Sequence, residues 1–355
     1  MTTIDKSKPV LVTGANGYVA SWLVKKLLDK GITVHAAVRD PNNDKKISHL
    51  KEVASKSKGK IKFFAGDLMK PDSYKAAMEG CALVYHTASP FSLDIKDPQA
   101  ELIAPAVNGT ANVLNTAKEV SSVRRIVVTS SCAAIYTDAI DTVNAPEGKI
   151  TEEVWNTTAS LDYQPYSYSK TLAEKKAWEL EKSQSQWDLV IINMSLVLGP
   201  ALNLGNTTSE SINILKMLGG GELKMGAPKM GLGVVDVRDV AEAHYKAGFT
   251  PEAKGRYITS AYDTNLLEIS KILLPKYGKK FPLPKRAMPK WLLMLVGPLA
   301  NKLFTRKYIK NNVNIPFHAD NSKIKKELGI KFIPLKKTME DSFQMMIDEG
   351  IFKSK

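Results

Sequence analysis

The chain has 355 residues, 44% of them hydrophobic and 24% charged, so it is long enough for one large or two ordinary domains with a sizeable core. This composition excludes a disordered chain, a collagen-like repeat and a small disulfide-stapled scaffold. The net charge is +14, but no Cys/His zinc spacing and no aromatic-rich basic motif indicates a specific nucleic-acid partner.

The sequence suggests a cytoplasmic protein. No apolar run approaches the roughly 20 residues that cross a bilayer, and no signal-like stretch precedes the first predicted strand. With only Cys81 and Cys132, no disulfide scaffold is expected. No metal site is expected either, because the histidines lack ligand spacing.

Over the first two hundred residues, short β-branched apolar runs alternate with helical patterns. This alternation is typical of an α/β protein with a doubly wound parallel sheet, the Rossmann arrangement. The predicted strands are 9–13, 32–38, 61–65, 83–87, 125–130 and 189–193. The predicted helices include 18–30, closed by Gly31, and 73–79, 106–119 and 166–182.

The regular alternation weakens after Gly199, where glycines, prolines and a basic stretch follow. We therefore expect a dinucleotide-binding domain at 1–198, with returning segments at about 230–262. Residues 199–229 and 263–355 are expected to form a smaller C-terminal substrate lobe over the carboxyl edge of the sheet.

A glycine-rich turn follows the first predicted strand and opens the first predicted helix. Gly14 permits a tight turn, Gly17 lets the backbone approach a pyrophosphate, and the small Ala20 allows the helix to pack closely on the strand. The amino end of the helix then faces the anion. In this position the motif predicts binding of a dinucleotide.

Arg39, directly after the second predicted strand, indicates which dinucleotide binds. An acidic residue there would bind the adenosine ribose, whereas a cation pairs with a 2′-phosphate. Arg39 therefore favours NADPH or NADP, and the adjacent Asp40 leaves NADH open as a second cofactor. Asp67, after the third strand, is placed to cap the adenine edge.

Tyr166 and Lys170 lie four residues apart in a predicted helix, so their side chains share one face. An unperturbed phenol titrates at about pH 10 and transfers protons poorly at neutral pH. An ammonium roughly 5 Å away favours the ionised phenol by on the order of 3 kcal/mol. The spacing therefore makes Tyr166 a usable acid or base.

Hydroxyl side chains end the strand predicted at 125–130, at the edge where open α/β sheets bind ligands. Ser130 or Ser131 can donate a hydrogen bond to a substrate carbonyl, or can satisfy the last backbone groups of the strand. Cys132 is expected to be a buried filler rather than a nucleophile.

Taken as a set, these motifs are similar to those of the extended short-chain dehydrogenases/reductases. Within them the chain resembles the group of dihydroflavonol 4-reductase, cinnamoyl-CoA reductase and yeast methylglyoxal (aldehyde) reductase. The resemblance runs through nearly the whole chain and rests on the segments 13–20, 39–41, 66–68, 86–90, 108–110, 129–131, 166–170, 235–241 and 320–329.

The resemblance implies a catalytic triad of Ser131, Tyr166 and Lys170, with Ser131 preferred to Ser130 because it lies 35 residues before the tyrosine. Tyr166 would donate a proton to the developing alkoxide as the nicotinamide delivers a hydride. Besides Tyr166 and Lys170, the cofactor-binding residues that it implies are Gly14, Asn16, Gly17, Tyr18, Val19, Arg39, Lys46, Asp67, Leu68, Thr87, Ala88, Ser89, Ser195 and Leu196.

The chain departs from the group at two positions. Met194 follows Asn193 where the family usually has proline, which affects the wall near the nicotinamide. Tyr136 stands where the plant flavonoid enzymes have a substrate-binding asparagine, which argues against a dihydroflavonol substrate. Phe91, Tyr136 and Tyr163 are predicted to line the substrate pocket.

Three functions are consistent with these motifs. The leading interpretation is an NADPH-dependent carbonyl reductase that acts on a small aldehyde or ketone, as a monomer or a homodimer. The second is a nucleotide-sugar epimerase or dehydratase with tightly held NAD, which Arg39 disfavours. The third is a non-catalytic NADPH-binding or membrane-surface partner protein.

The stretch from Lys276 to Lys310 carries ten Lys and Arg residues and no Asp or Glu. Its apolar centre, residues 289–300, is expected to roof the substrate lobe, with Trp291 and Leu295 buried against the cleft. The other interpretation is a helix that docks on anionic lipid.

Overall fold

The computed structural model describes residues 1–89, 95–206, 210–300 and 304–352. Its strands are β1 (Val10–Thr13), β2 (Val34–Val38), β3 (Ile61–Ala65), β4 (Leu83–His86), β5 (Arg125–Ser131), β6 (Asp188–Met194), β7 (Leu196–Leu198), β8 (Leu232–Asp236), β9 (Gly255–Thr259) and β10 (Tyr262–Thr264). Seven of them form a parallel sheet in the order β3-β2-β1-β4-β5-β6-β9. The predicted doubly wound α/β fold is confirmed.

Helices lie on both faces of this sheet and in a smaller lobe of the chain. They are α1 (Tyr18–Asp29), α2 (Asp44–Ser55), α3 (Lys75–Met78), α4 (Ala104–Glu119), α5 (Ala139–Asn144), α6 (Pro165–Lys182), α7 (Glu210–Gly220), α8 (Val237–Phe249), α9 (Leu266–Tyr277), α10 (Lys290–Ala300), α11 (Arg306–Asn312), α12 (Ser322–Leu328) and α13 (Leu335–Asp348). The pair α1 and α8 packs on one face, and α4 and α6 pack on the other. Inner strands such as β1 and β4 are buried on both sides, which explains their continuous apolar sequences.

The predicted elements differ from the observed ones mainly at their ends. Gly31 adopts φ +80, and the N–H of Ile32 donates to the carbonyl of Leu27 (3.0 Å). This left-handed end closes α1, and β2 therefore begins at Val34 rather than at Ile32. The helix predicted at 73–79 is shorter than expected, and α4 starts two residues early, after a π-helical turn at Gln99–Ile103.

The smaller lobe has its own sheet and core. In this sheet β8 pairs in parallel with β7 and antiparallel with β10. Buried apolar side chains from α7, α9 and α13, among them Leu215, Leu273 and Phe343, form the core. Its strand β7 begins at Leu196, two residues after β6 ends in the main sheet.

The expectation that Trp291 and Leu295 are buried is wrong: these side chains are 66% and 60% exposed. Instead α10 packs with the face that contains Leu293 and Gly297, against Ile309 of α11. Nearly every position of α10 is apolar, so one short neighbouring helix covers only one of its sides. Within the described ranges, no helix combines the length and the apolarity that crossing a bilayer requires.

Candidate active site

The glycine turn joins β1 to α1 at the carboxyl edge of the sheet. Gly14 has φ +61, and a Cβ built there would lie 3.0 Å from the Cα of Ala88. Gly17 is the N-cap of α1, and neither a side-chain cap nor an acidic residue occupies the first turn. The first amides of the helix are therefore placed to bind an anion.

The side chains of Tyr18 and Val19 point away from this turn. The Tyr18 hydroxyl donates to the carbonyl of Gly199 (2.7 Å), and Val19 packs in a cluster that includes Val197. Only the backbone amides of these two predicted residues can therefore serve a ligand. Asn16 lies half-buried within the turn itself.

Charged side chains stand at the ends of β2 and β3. Arg39 is exposed directly after β2, and Lys46 is exposed in the first turn of α2. Asp67 follows β3, and its Oδ1 accepts a hydrogen bond from the amide of Met69 (2.9 Å). Burial and then the charge of Asp67 raise the pKa of Tyr74, and Arg39 opposes this shift. Arg39 and Asp67 thus lie on the same side of the edge, around Tyr74.

The segment after β4 is held rigidly against β1. Thr13 Oγ1 accepts from the amides of Thr87 and Ala88, both at 3.1 Å, and the Thr87 hydroxyl donates to the Thr13 carbonyl. His86 Nδ1 lies 3.0 Å from the same Oγ1. Burial and the ammonium of Lys170 lower the pKa of His86 to about 3, so this ring is neutral. The segment lies where the strand order reverses, the usual ligand position in such sheets.

Tyr166 and Lys170 lie in the first turns of α6, as the spacing predicts. Gln164 adopts a left-handed conformation (φ +54) immediately before the helix begins at Pro165. The Lys170 ammonium lies 5.7 Å from the centre of the Tyr166 ring and donates to Ser89 Oγ (2.9 Å). The Tyr166 side chain is partly exposed. Lys170 thus joins α6 to the segment that follows β4.

The two serines of β5 have different surroundings. The buried Ser130 donates its hydroxyl to Glu174 Oε2 (2.5 Å), so this group already serves the protein interior. Ser131 ends the strand half-buried, and its Oγ accepts from the amide of Ala133 (3.1 Å). The turn at residues 132–134 packs against α6. Ser130 therefore contacts α6 through Glu174, whereas Ser131 stands half-buried at the end of the strand, next to the turn that packs against α6.

Glu174 is a central residue that the sequence analysis missed. Its buried carboxylate accepts from Ser130 and from Asn193 Nδ2 (2.7 Å), and its Oε1 lies 2.6 Å from Arg256 Nε. One side chain of α6 therefore binds β5, β6 and β9, one helical turn after Lys170. Its position four residues after Lys170 could have indicated that Glu174 lies on the same face of the helix. Its three partners could not be predicted, because they lie far away in the sequence.

One cleft gathers residues from several of these segments. The predicted Leu68, Ala88, Ser89 and Lys170 line it, together with Ser130 and Glu174. Ser131 and Tyr166 are not part of this lining. The predicted Ser195 and Leu196 lie farther along the edge. Ser195 binds the Thr259 carbonyl through its amide (3.2 Å), and Leu196 begins β7. No group of three or more metal-ligating side chains occurs among the residues that the structure describes.

The predicted substrate-pocket residues occupy different positions. The Tyr136 ring packs against Phe317, with 5.1 Å between ring centres. The Tyr163 hydroxyl donates to Asp138 Oδ2 (2.7 Å), and burial together with this bond raises the pKa of Tyr163. Phe91 lies outside the described residues.

Asp138 ties the Tyr163 segment to the substrate lobe. This buried carboxylate also accepts from the amide groups of Asn311 (2.8 Å) and Asn312 (2.6 Å) on α11. The Lys307 ammonium of the same helix lies 3.7 Å from the centre of the Tyr163 ring. The sequence analysis missed this contact because 173 residues separate Asp138 from Asn311.

Comparison with known proteins agrees with this geometry. The family described as NAD dependent epimerase/dehydratase matches residues 10–258. The chain belongs to this family. It is 34% identical to a cinnamoyl-CoA reductase of Medicago truncatula and 34% identical to a tetraketide α-pyrone reductase of Arabidopsis thaliana, each over 98% of both chains. The structure of a yeast methylglyoxal/isovaleraldehyde reductase complexed with NADPH superposes with a TM-score of 0.75, at 27% identity, over 97% of this chain and 99% of that one. The predicted extended short-chain dehydrogenase/reductase resemblance and the NAD(P)-dependent oxidoreductase class are confirmed.

A nicotinamide dinucleotide fits the carboxyl edge of the sheet in this member of the epimerase/dehydratase family. A side chain at Gly14 would fill the narrow space beside Ala88, and the first amides of α1 have no side-chain cap. The exposed guanidinium of Arg39 stands one strand away, after β2. Gly14 and the α1 amides would hold the pyrophosphate, and Arg39 would face the adenosine ribose.

Proposed function

We propose that this chain is an NADPH-dependent carbonyl reductase that acts on an aldehyde or ketone, with Tyr166 as the proton donor. The observation that carries this proposal is the position of Lys170. Its ammonium is near the Tyr166 ring and binds Ser89 beyond β4, so the acid–base pair borders the same edge as the glycine turn.

The preference for NADPH rests on Arg39. A guanidinium binds a phosphate through charge-assisted hydrogen bonds, and the side chain that follows β2 directly is this cation rather than a carboxylate. Lys46 adds a second exposed cation nearby in the chain. The yeast reductase described above was solved with NADPH, which agrees with this choice.

When bound, the nicotinamide supplies the hydride. The hydroxyl groups of Ser131 and Tyr166 bind and orient the carbonyl oxygen of the substrate. Tyr166 then donates its proton to the alkoxide that develops there, and the Lys170 ammonium stabilises the phenolate that remains. The rigid contact of Thr13 with Thr87 and Ala88 holds the floor of the site in place during this step.

For the substrate we infer a carbonyl compound with an apolar or aromatic group. The side chains predicted to line its pocket, Tyr136 and Tyr163, are aromatic, and Tyr136 replaces the amide that a dihydroflavonol enzyme would use. The relatives are named for cinnamoyl-CoA, an α-pyrone, methylglyoxal and isovaleraldehyde. A panel of such aldehydes, ketones and thioesters should therefore contain a substrate.

Replacing Tyr166 with Phe tests the proposal. General acid–base catalysis contributes about 10²- to 10⁴-fold, so we expect NADPH oxidation with any active carbonyl substrate to fall by that factor. NADPH affinity, measured by fluorescence titration, should hardly change. Tyr168→Phe on the same helix is the matched control and should retain activity, because Tyr168 has no lysine four residues later. Full activity of the Tyr166 variant would refute the proposed role.

The family name leaves an epimerase or dehydratase as the second candidate. Such enzymes keep their nicotinamide bound between half-reactions, whereas a reductase must release it. We expect the purified protein to lack the absorbance of retained cofactor and to oxidise added NADPH. Tightly retained NAD together with no net NADPH oxidation would favour the second candidate instead.

A further inference from the structure

The helix α10 leaves one apolar side uncovered. Trp291, Leu295 and Leu299 follow each other at intervals of four residues, and Leu299 is 89% exposed. Val296 extends the same side. The opposite side packs against α11, where Leu293 contacts the fully buried Ile309. Large contiguous apolar surfaces are rare on proteins that have no partner for them.

Exposed basic side chains precede and follow α10 in the chain. Lys285 and Arg286 precede α10, and Arg306, Lys307 and Lys310 follow it; all five are exposed. Residues 276–310 contain no Asp or Glu.

One hydrogen bond links the start of α10 to the end of α11, and another links the segment before α10 to residues 221–231. The Lys290 ammonium donates to the carbonyl of Lys310 (2.9 Å), and the amide of Met288 donates to the carbonyl of Ala227 (2.9 Å). The adjoining segment, residues 221–231, adds one carboxylate, Glu222, but also two exposed lysines, Lys224 and Lys229. The segments that adjoin α10 therefore carry an excess of exposed positive charge.

We propose that this surface, α10 with its basic flanks, docks on a membrane that contains anionic lipids. An amphipathic helix with aromatic and aliphatic side chains on one side and lysines around it inserts its apolar side at the headgroup boundary, where anionic lipids attract the cations. Trp291 suits that boundary, because indole combines a large apolar ring with one polar N–H.

Two other occupants of this surface fit the structure less well. In a dimer formed through this surface, the basic flanks of the two copies would face each other, and repulsion between like charges opposes such an interface. A closing movement over the substrate would have to turn α10 around, because it contacts α11 through its Leu293 side. It is α11 that reaches the site, through Asn311 and Asn312.

Vesicle sedimentation of the full chain tests the proposal. The probes are vesicles of phosphatidylcholine alone and vesicles of equal parts phosphatidylcholine and phosphatidylserine. We expect the protein to sediment with the anionic vesicles only, and to be released by high salt because screening weakens the contact. The exposed indole of Trp291 should shift its emission to shorter wavelength on binding.

Two sets of variants separate the contributions. The triple variant Lys285→Gln, Arg286→Gln, Lys310→Gln should bind anionic vesicles about 100-fold more weakly, since each juxtamembrane cation contributes roughly fivefold. The matched charge control removes three exposed lysines at the amino edge of the sheet, Lys30→Gln, Lys58→Gln and Lys60→Gln, and should bind like the parent chain.

The apolar stripe is tested separately. The double variant Trp291→Ser, Leu295→Ser should lose most of its binding to the anionic vesicles, whereas Trp291→Phe, which keeps an apolar ring, should retain it. Without vesicles, both should oxidise NADPH with the parent KM and kcat.

Several outcomes would overturn the proposal. They are no sedimentation with anionic vesicles, equal sedimentation with both vesicle types, or unchanged binding by the serine double variant. A raised substrate KM for that variant in the absence of lipid would assign the stripe to the substrate instead. A dimer in sedimentation velocity that the double variant abolishes would assign it to a second copy of the chain.

Discussion

Two regions of this molecule are built from contacts of different range: the proposed cofactor side around the glycine turn, and the proposed substrate side around Asp138. On the cofactor side, the turns directly after β1 and β4 bind each other, and Gly14 meets Ala88. On the substrate side, Asp138 holds Tyr163 and two asparagines from the far end of the chain. Short motifs therefore define the first side, whereas the second exists only once the lobe has folded onto the sheet.

The variant with the largest expected effect, Glu174→Ala, tests whether the cofactor side also depends on a long-range contact. Glu174→Ala leaves the buried guanidinium of Arg256 without its carboxylate, and breaking a buried ion pair costs about 3–5 kcal/mol. We expect a fall of roughly 5 °C in the melting temperature, measured by calorimetry. The control is Glu179→Ala, which removes an exposed ion pair with Lys176 on the same helix. Equal losses for both variants would show that the buried pair is not important.

Arg39→Ala tests the cofactor side alone. Loss of a charge-assisted contact to the 2′-phosphate should weaken NADPH binding by roughly 10- to 100-fold, because such bonds contribute about 1.5–3 kcal/mol. NADH lacks that phosphate and serves as the internal control, so its affinity should not change. The measurement is the ratio of kcat/KM for the two cofactors. A parallel loss for NADPH and NADH would place Arg39 outside the phosphate contact.

Asp138→Asn tests the substrate side alone. The amide presents a donor to groups that already donate, so the contact to Asn311 and Asn312 weakens by about 1–2 kcal/mol. We expect the substrate KM to rise roughly tenfold, with NADPH affinity unchanged. Asp141→Asn is the control, because among the described residues Asp141 accepts hydrogen bonds from Thr158 and from the amide of Asp138 but forms none with α11. A matching change in NADPH affinity would contradict the separation of the two sides.

The smallest effect concerns pH and the junction between sheet and lobe. Burial raises the pKa of Asp239 to about 7, although the amide of Ile333 donates to its carboxyl group. The unfolded carboxyl ionises near about 4, so the folded chain binds an extra proton between these values. This group therefore lowers the free energy of unfolding as the pH rises from about 4 to about 7.

Asp239→Asn should remove this pH dependence of stability. The difference in melting temperature between the variant and the parent chain should therefore increase by roughly a few degrees as the pH rises through this range. Asp320→Asn is a control whose pH dependence has the opposite sign and lies below this range. The Lys149 ion pair and the hydrogen bonds from Ser322 lower the pKa of Asp320 to about 2, so its contribution to stability is lost as the pH falls from about 4 to about 2. A parent and an Asp239 variant with parallel pH curves would contradict the prediction.

Much of the first domain could be predicted because its signals are local. The strand at 61–65 was predicted with its observed bounds, and Gly31 ends α1 as its sequence position suggests. The spacing of Tyr166 and Lys170 was enough to place both on one face. The choice of Ser131 over Ser130 came from a resemblance, and only the Glu174 contact supplies a physical reason for it.

The sequence by itself determined the alternating fold, the glycine turn, the cation after β2 and the shared face of Tyr166 and Lys170, because each depends on residues within one or two turns of each other. Tertiary structure alone decided the partners of Glu174 and Asp138 and which side of α10 is covered. Those outcomes depend on which distant segments meet, and in α10 nearly every position is apolar, so the helical pattern did not indicate which side the neighbouring helix would cover.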